Sequence, residues 1–165
     1  MVGMTFTRRP RRSVAALAVG PAVVTTLTLS AGVAALLGLV GTVVLAAGVA
    51  TASRPGVSLG GVALFGGVLV AGIAGLSPGV LVLAAAGAVV SWTTGQHVVG
   101  LAHQLGREAS IRRSVLAHLA SATVATLSVG VVGLLAYRFT AGSVSGAAVG
   151  FLLAGAVALL VALRS

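Results

Sequence analysis

The chain has 165 residues, of which 58% are hydrophobic and only 7% are charged. A water-soluble domain is about one quarter charged, so ten arginines and one glutamate are too few to cover the surface of a soluble globule. The same numbers exclude a disordered chain, and the lack of cysteine excludes a disulfide scaffold and a thiolate metal site. The composition therefore predicts a Gly- and Ala-rich integral membrane protein.

Arginines divide the chain into long uncharged stretches. The stretch between Arg12 and Arg54 has 41 residues, twice the roughly 20 that a helix needs to cross a ~30 Å hydrocarbon layer. Two helices therefore fit, with a turn at Ser30-Ala31-Gly32. The next stretch holds two more, separated by Ser77-Pro78-Gly79, which is typical of a turn. In all, the sequence predicts an all-α bundle of six transmembrane helices, at residues 13–29, 33–51, 58–76, 79–99, 114–137 and 146–163.

The arginines also predict the orientation, because cytoplasmic loops are enriched in positive charge. With six spans, only Arg138 falls on one side. The other nine fall on the opposite side: Arg8, Arg9, Arg11, Arg12, Arg54, Arg107, Arg112, Arg113 and Arg164. Both termini are therefore predicted to be cytoplasmic, with a basic segment at 1–12 before a single helical domain at 13–165 in the cell membrane. Since the arginines punctuate apolar runs and form no single basic face, nucleic-acid binding is not predicted.

The first span has an alternative interpretation as a cleaved secretory signal, because a basic start precedes an apolar core. Pro10-Arg11-Arg12 stands where such a signal normally becomes hydrophobic, and no polar mature domain follows. A retained transmembrane helix is therefore the favoured interpretation.

Small residues at four-residue spacing let membrane helices approach closely. One such ridge follows the sixth span through Gly142, Gly146, Gly150 and Ala154. A second follows Ala34, Gly38, Thr42, Ala46 and Ala50 in the second span. Packing within the bundle is the favoured role of these ridges, and a homo-oligomer seam along the sixth helix is the alternative.

No charged residue lies inside a predicted span, which argues against proton-coupled carriers and aspartyl intramembrane proteases. The polar residues gather instead at the end of the fourth span and in a predicted cytoplasmic loop at 100–113. Trp92 is interpreted as an interfacial anchor. The candidate contacts for partners or lipid head groups are Trp92, Gln96, His97, His103, Gln104, Arg107, Glu108, Arg112, Arg113 and His118.

A metal site at His97, His103 and His118 is the sharper alternative for these histidines. Zinc needs three or four ligands at about 2 Å, and a six-residue gap on one helix points the first two imidazoles apart. Interfacial histidines bonded to water or backbone are therefore favoured. No nucleophile elbow, Walker loop or dinucleotide fingerprint is present, so neither an enzyme nor a cofactor is predicted.

The segment from Trp92 to His118 contains Trp92, Gly95, Gly100-Leu101, Gln104-Leu105-Gly106-Arg107, Arg112-Arg113 and His118. With these residues it resembles the central segment of a family of small haloarchaeal membrane proteins of unknown function. Members are often encoded beside a MoxR-type AAA ATPase and a transglutaminase-like membrane protein, so the resemblance implies such proteins as partners. Family members tend to have an acid directly after the tryptophan, where this chain has Thr93.

These observations predict a non-catalytic protein that acts as a structural or assembly partner in a membrane-associated complex. The contact would be the polar loop at 100–113. The alternative is a small transporter or channel with a path lined by Ser, Thr and Gly, and with His97 near its inner opening.

Overall fold

The computed structural model describes residues 12–29, 32–105 and 111–140. These residues form five α-helices and no strand: α1 Arg12–Thr28, α2 Gly32–Ala50, α3 Arg54–Ile73, α4 Pro78–Leu105 and α5 Ile111–Thr140. The predicted all-α class is confirmed for this part of the chain. Helices α2 to α5 are each long and apolar enough to cross a membrane, and α1 is a shorter apolar helix. The sixth predicted span and the ridge of Gly142, Gly146, Gly150 and Ala154 lie outside the described residues.

Helix α3 begins four residues before the predicted span because its start is capped. Ser53 has an extended backbone, and its hydroxyl accepts a hydrogen bond from the Gly56 amide at 3.3 Å. Pro55 follows in the first turn, where its missing amide leaves no helical bond unmade. The helix ends at Ile73, before left-handed Gly75 (φ 85°), and the Leu76 amide donates to the Ala71 carbonyl.

Helix α4 continues through Gly100 to Leu105, six residues beyond the predicted span. A single glycine costs a helix about 1 kcal/mol, and the neighbouring Val98, Val99 and Ala102 are buried and favour continuation. Helix α5 then begins at Ile111. The segment predicted as a loop at 100–113 is therefore helical at 100–105 and 111–113.

Helices α2 and α3 pack backbone against backbone along a glycine seam. A Cβ placed on Gly41 would lie 2.6 Å from the Leu64 amide nitrogen, and one on Gly48 would lie 2.5 Å from that of Val57. From the ridge predicted on α2, Ala34 and Gly38 are buried, whereas Ala50 is exposed. The closest approaches on α2 are therefore at Gly41, Leu45 and Gly48, since the Leu45 amide nitrogen lies against the position that a Cβ would take on Gly60.

Hydroxyl groups link α1 to its neighbours. The buried Thr25 hydroxyl is 3.0 Å from the Pro21 carbonyl of its own helix and 3.2 Å from the Ala84 carbonyl of α4. The hydroxyls of Thr26 and Thr42 are 2.8 Å apart and join α1 to α2. Because lipid offers no hydrogen-bond partner, such internal bonds satisfy polar groups that would otherwise be costly.

Neighbouring helices among α1 to α4 are antiparallel, so the bundle has two ends. One end carries the α2–α3 connection at 51–53, where the His103 ring nitrogen Nε2 is 3.0 Å from the Ala52 carbonyl oxygen. Toward the other end lies a smaller apolar cluster of Leu29, Ala34, Val68, Ala71 and Ala84. The larger core cluster includes Leu45, Val49, Val57, Leu64, Val98 and Val115.

Candidate functional site

An open cleft of about 540 Å³ lies at the end of the bundle that carries the α2–α3 connection. Its lining comes from the start of α3, the second half of α4 and the first half of α5: Arg54, Thr93, Gln96, His97, Gly100, Leu101 and His118. We call it the Arg54 cleft. Its volume falls within the roughly 300–1,000 Å³ of small-molecule sites.

Two histidines from different helices meet in this cleft. The rings of His97 on α4 and His118 on α5 are stacked, with centroids 4.3 Å apart and planes inclined by 13°. The His97 nitrogen Nε2 is 3.4 Å from the Ser114 hydroxyl, and both histidines are half-buried. The stacking thus joins the end of α4 to the start of α5.

The stacking of the two rings is relevant to the alternative prediction of a metal site at the three histidines. Nitrogen lone pairs lie in the plane of an imidazole, so two nearly parallel rings do not direct them at one ion. The third histidine, His103, is bonded instead to the Ala52 carbonyl. Among the residues that the structure describes, no group of three His, Asp or Glu residues is placed to hold a metal.

Gln96 fixes the start of α3 against α4. Its side-chain amide nitrogen donates to the Arg54 carbonyl at 3.2 Å and to the Ser58 hydroxyl at 2.9 Å. Arg54 is exposed, and its Nη2 atom is 3.5 Å from the position that a Cβ would take on Gly100. The guanidinium therefore lies beside Gly100, which has no side chain.

Trp92 packs against α3 at Gly61 and does not line the cleft. Its Cγ atom is 2.9 Å from the position that a Cβ would take on Gly61, and the residue remains 41% exposed. The role of Trp92 as an interfacial anchor stays a prediction. The hydroxyl of the adjacent Thr93 donates to the Val89 carbonyl at 2.9 Å, within the helix.

The remaining predicted contact residues are distributed as follows. Arg113 is exposed in the first turn of α5. The backbones of Gln104 and Arg112 are helical, but their side chains lie outside the described residues, as do Arg107 and Glu108. The structure thus brings Gln96, His97 and His118 together and places His103 beside the α2–α3 connection.

Six residues of this site were not among the predicted contacts: Arg54, Thr93, Gly100 and Leu101 of the lining, and Ser58 and Ser114 beside it. Arg54 was interpreted only as a loop charge that separates two spans and helps to predict their orientation. A signal for it was present, since Ser53 followed by Arg54 and Pro55 is a capped helix start, which places the arginine on a helix and not in a loop.

The lining of the Arg54 cleft has one permanent cation, two imidazoles and no carboxylate. Glu108 is the only acidic side chain in the whole sequence, against ten arginines. Arginine presents five N–H donors and keeps its charge at any physiological pH. Chemically, the cleft is therefore suited to accept an anionic group.

The chain belongs to the family of unknown function DUF7519, whose family model matches residues 8–160. The match covers all the described residues, including every residue that lines the cleft. It agrees with the resemblance noted above in that both indicate a family of unknown function. No curated protein and no solved structure matches the chain.

Proposed function

We propose that this member of the DUF7519 family is a non-catalytic, multi-pass protein of the cell membrane that acts as a structural or assembly partner in a membrane-associated complex. The partners would be other membrane proteins or a cytoplasmic ATPase, as the resemblance to archaeal proteins implies. The observation that carries the proposal is that Arg54, Gln96 and three histidines lie at one end of a bundle whose buried polar groups, among the described side chains, are hydroxyls. A surface of this kind is better suited to binding other molecules than to catalysis.

Six spans with both termini in the cytoplasm remain part of this proposal. Four described helices have the necessary length and hydropathy, and α1 is apolar over Ser13–Thr28. The antiparallel helices also bring Arg54 and the end of α4, after which Arg107 follows in the sequence, to the same end of the bundle, which supports a shared cytoplasmic side.

Cysteine labelling tests this topology directly, because the chain has no cysteine of its own. Single cysteines at Thr5, Ser53, Ser77 and Ser165 are exposed to a membrane-impermeant maleimide in intact cells and in inverted vesicles. We expect Thr5→Cys, Ser53→Cys and Ser165→Cys to react only in inverted vesicles and Ser77→Cys only in cells. Labelling of Thr5→Cys and Ser165→Cys from opposite sides would overturn the six-span topology.

The proposed partner contact is the segment at 100–113 together with the exposed residues beside it. His103 and Arg113 are exposed at this end of the bundle, and the segment carries three of the ten arginines. Charged side chains at the rim of an interface steer association and set specificity more than affinity.

Chemical crosslinking in native membranes followed by mass spectrometry tests the partner contact. Replacing Arg107, Arg112 and Arg113 with alanine should abolish crosslinks to other proteins. The matched control replaces Arg8, Arg9 and Arg11, which removes the same charge from the same predicted side. Equal crosslinking by both triple variants would contradict a contact at 100–113.

The non-catalytic part of the proposal is supported by the geometry around Ser114. Its hydroxyl is 3.4 Å from His97 Nε2, longer than the roughly 2.6–3.2 Å of an activated nucleophile. No described carboxylate orients the imidazole, whose face is stacked on His118.

A second candidate, a small transporter or channel, is favoured by one observation on α4. The hydroxyls of Ser91 and Thr94 are fully buried and have no hydrogen-bond partner among the described residues. Buried polar groups are normally bonded, so these two would suit a path that holds water or solute. Solute flux into proteoliposomes, compared between wild type and a Ser91→Ala/Thr94→Val variant, distinguishes this function from the first.

A further inference from the structure

We propose that the Arg54 cleft is a binding site for a phosphate group. This inference goes beyond the assembly role, since a ligand site in the cleft does not depend on a protein partner at 100–113. The first observation behind it is the positive charge of Arg54. Arg54 is exposed into an open cleft, and neither the lining nor the other described residues include an acidic side chain to neutralise it.

The donors around the cleft match a phosphate. A guanidinium bonds phosphate oxygens through two parallel N–H groups, a geometry that an ammonium does not provide. The imidazoles of His97 and His118 supply further nitrogen atoms from two other helices. Both rings line the cleft, whereas the Nε2 atom of His118 is itself buried and has no hydrogen-bond partner among the described residues.

The start of α3 contributes its dipole but few free amides. The Gly56 amide donates to the Ser53 hydroxyl, the Val57 amide donates to the Ser53 carbonyl, and Pro55 has no amide hydrogen. The site is therefore formed by side chains of three helices, and the positive end of α3 adds favourable potential.

The absence of a side chain at Gly100 leaves room in the cleft for a phosphate group. Any long side chain at this position would occupy the cleft beside the Arg54 guanidinium, whose Nη2 atom lies only 3.5 Å from where the first side-chain carbon would stand. With glycine there, the cleft retains about 540 Å³, enough for a phosphate with a small substituent such as glycerol. The phosphate of an anionic phospholipid head group and free phosphate share this chemistry.

Histidine ring NMR of the wild-type protein in detergent micelles tests the site without any variant. Three probes are titrated: inorganic phosphate, dihexanoyl phosphatidylglycerol, and dihexanoylglycerol, which has the same tails and no phosphate. We expect the ring resonances of His97 and His118 to move with a phosphate-bearing probe, and those of His103, bonded to Ala52 outside the cleft, to stay. A response to inorganic phosphate supports a free anion, and a response to phosphatidylglycerol alone supports a head group. Equal shifts of all three histidines, or equal shifts with dihexanoylglycerol, would overturn the proposal.

Two variants distinguish the contribution of the Arg54 charge from that of the room beside Gly100. Arg54→Gln should weaken phosphate binding by about tenfold or more, because it removes a charge-assisted hydrogen bond. Gly100→Leu keeps every charge and fills the cleft, and it should weaken binding similarly. The matched control is Arg138→Gln, an exposed arginine in the last turn of α5, for which we expect less than a twofold change. Wild-type affinity in both cleft variants would refute the site.

Discussion

Glycines occur both in the α2–α3 seam and beside the Arg54 cleft, and the two regions use them differently. In the seam, Gly41 and Gly48 are buried, and a Cβ on either would fall within 2.6 Å of the opposite backbone. Beside the cleft, Gly100 faces an open volume, and its nearest neighbour is the end of a flexible arginine. The same residue type therefore brings backbones together in one place and leaves room in the other.

The largest effect should come from adding a methyl group within the seam. In Gly41→Ala the new Cβ would lie 2.6 Å from the Leu64 nitrogen and 2.9 Å from the Gly60 carbonyl oxygen. Both are backbone atoms, so the helices must separate. We expect the free energy of unfolding to fall by about 2 to 3 kcal/mol, measured by titration from dodecyl maltoside into SDS.

The matched control is Gly66→Ala on α3. Nothing lies within 4 Å of a Cβ at Gly66, and alanine favours helices over glycine by about 1 kcal/mol. Gly66→Ala should leave stability unchanged or slightly higher. Equal destabilisation by both substitutions would show that the close approach of the backbones in the seam does not set the cost.

A smaller loss is expected at the boundary of the cleft. Gln96→Leu removes the hydrogen bonds to the Arg54 carbonyl and the Ser58 hydroxyl, which together are worth about 1 to 2 kcal/mol. Hydrogen exchange should quicken at the first turn of α3, while the rest of that helix stays protected by the seam. Ser58→Ala, which removes one acceptor, should have about half the effect. If the two variants had equal effects, the bond from Gln96 to the Arg54 carbonyl would contribute nothing to stability.

The smallest effect, with opposite sign, is expected at Gly100. In Gly100→Ala the added Cβ would make an ordinary 3.5 Å contact with Arg54 Nη2. Because alanine is the better helix former, the free energy of unfolding in detergent, measured by thermal denaturation, should be unchanged or rise by up to about 1 kcal/mol. A loss comparable to that of Gly41→Ala would break the distinction between the two regions.

The helices themselves could be predicted well where hydropathy and helix geometry coincide. The first two spans were predicted at 13–29 and 33–51, and α1 and α2 occupy Arg12–Thr28 and Gly32–Ala50. The prediction was less accurate for α3 and α4, because it tracked apolar residues whereas helices extend as far as their hydrogen bonds and caps allow. Ser53 and Pro55 were already signals for the earlier start of α3.

The site could be predicted only in part. Local composition indicated the polar end of α4 and the candidates Gln96, His97 and His118. The stacking of His97 on His118 depends on the rotation of α5 about its axis, which no local pattern in the sequence sets. The bond from Gln96 to the Arg54 carbonyl could not be predicted either, since the two residues are 42 positions apart in the sequence. The ridge on α2 was likewise predicted at four-residue spacing, whereas the closest approaches to α3 are at Gly41, Leu45 and Gly48.

The threonine links of α1 have a consequence for the conditions that the protein withstands. Thr25, Thr26 and Thr42 join three helices through hydroxyl and carbonyl groups, none of which gains or loses a proton between mild acid and mild alkali. Dissolved ions weaken attraction between charges, but they have little influence on bonds between neutral groups. Association of α1 with α2 and α4 should therefore be the same in dilute and in concentrated electrolyte.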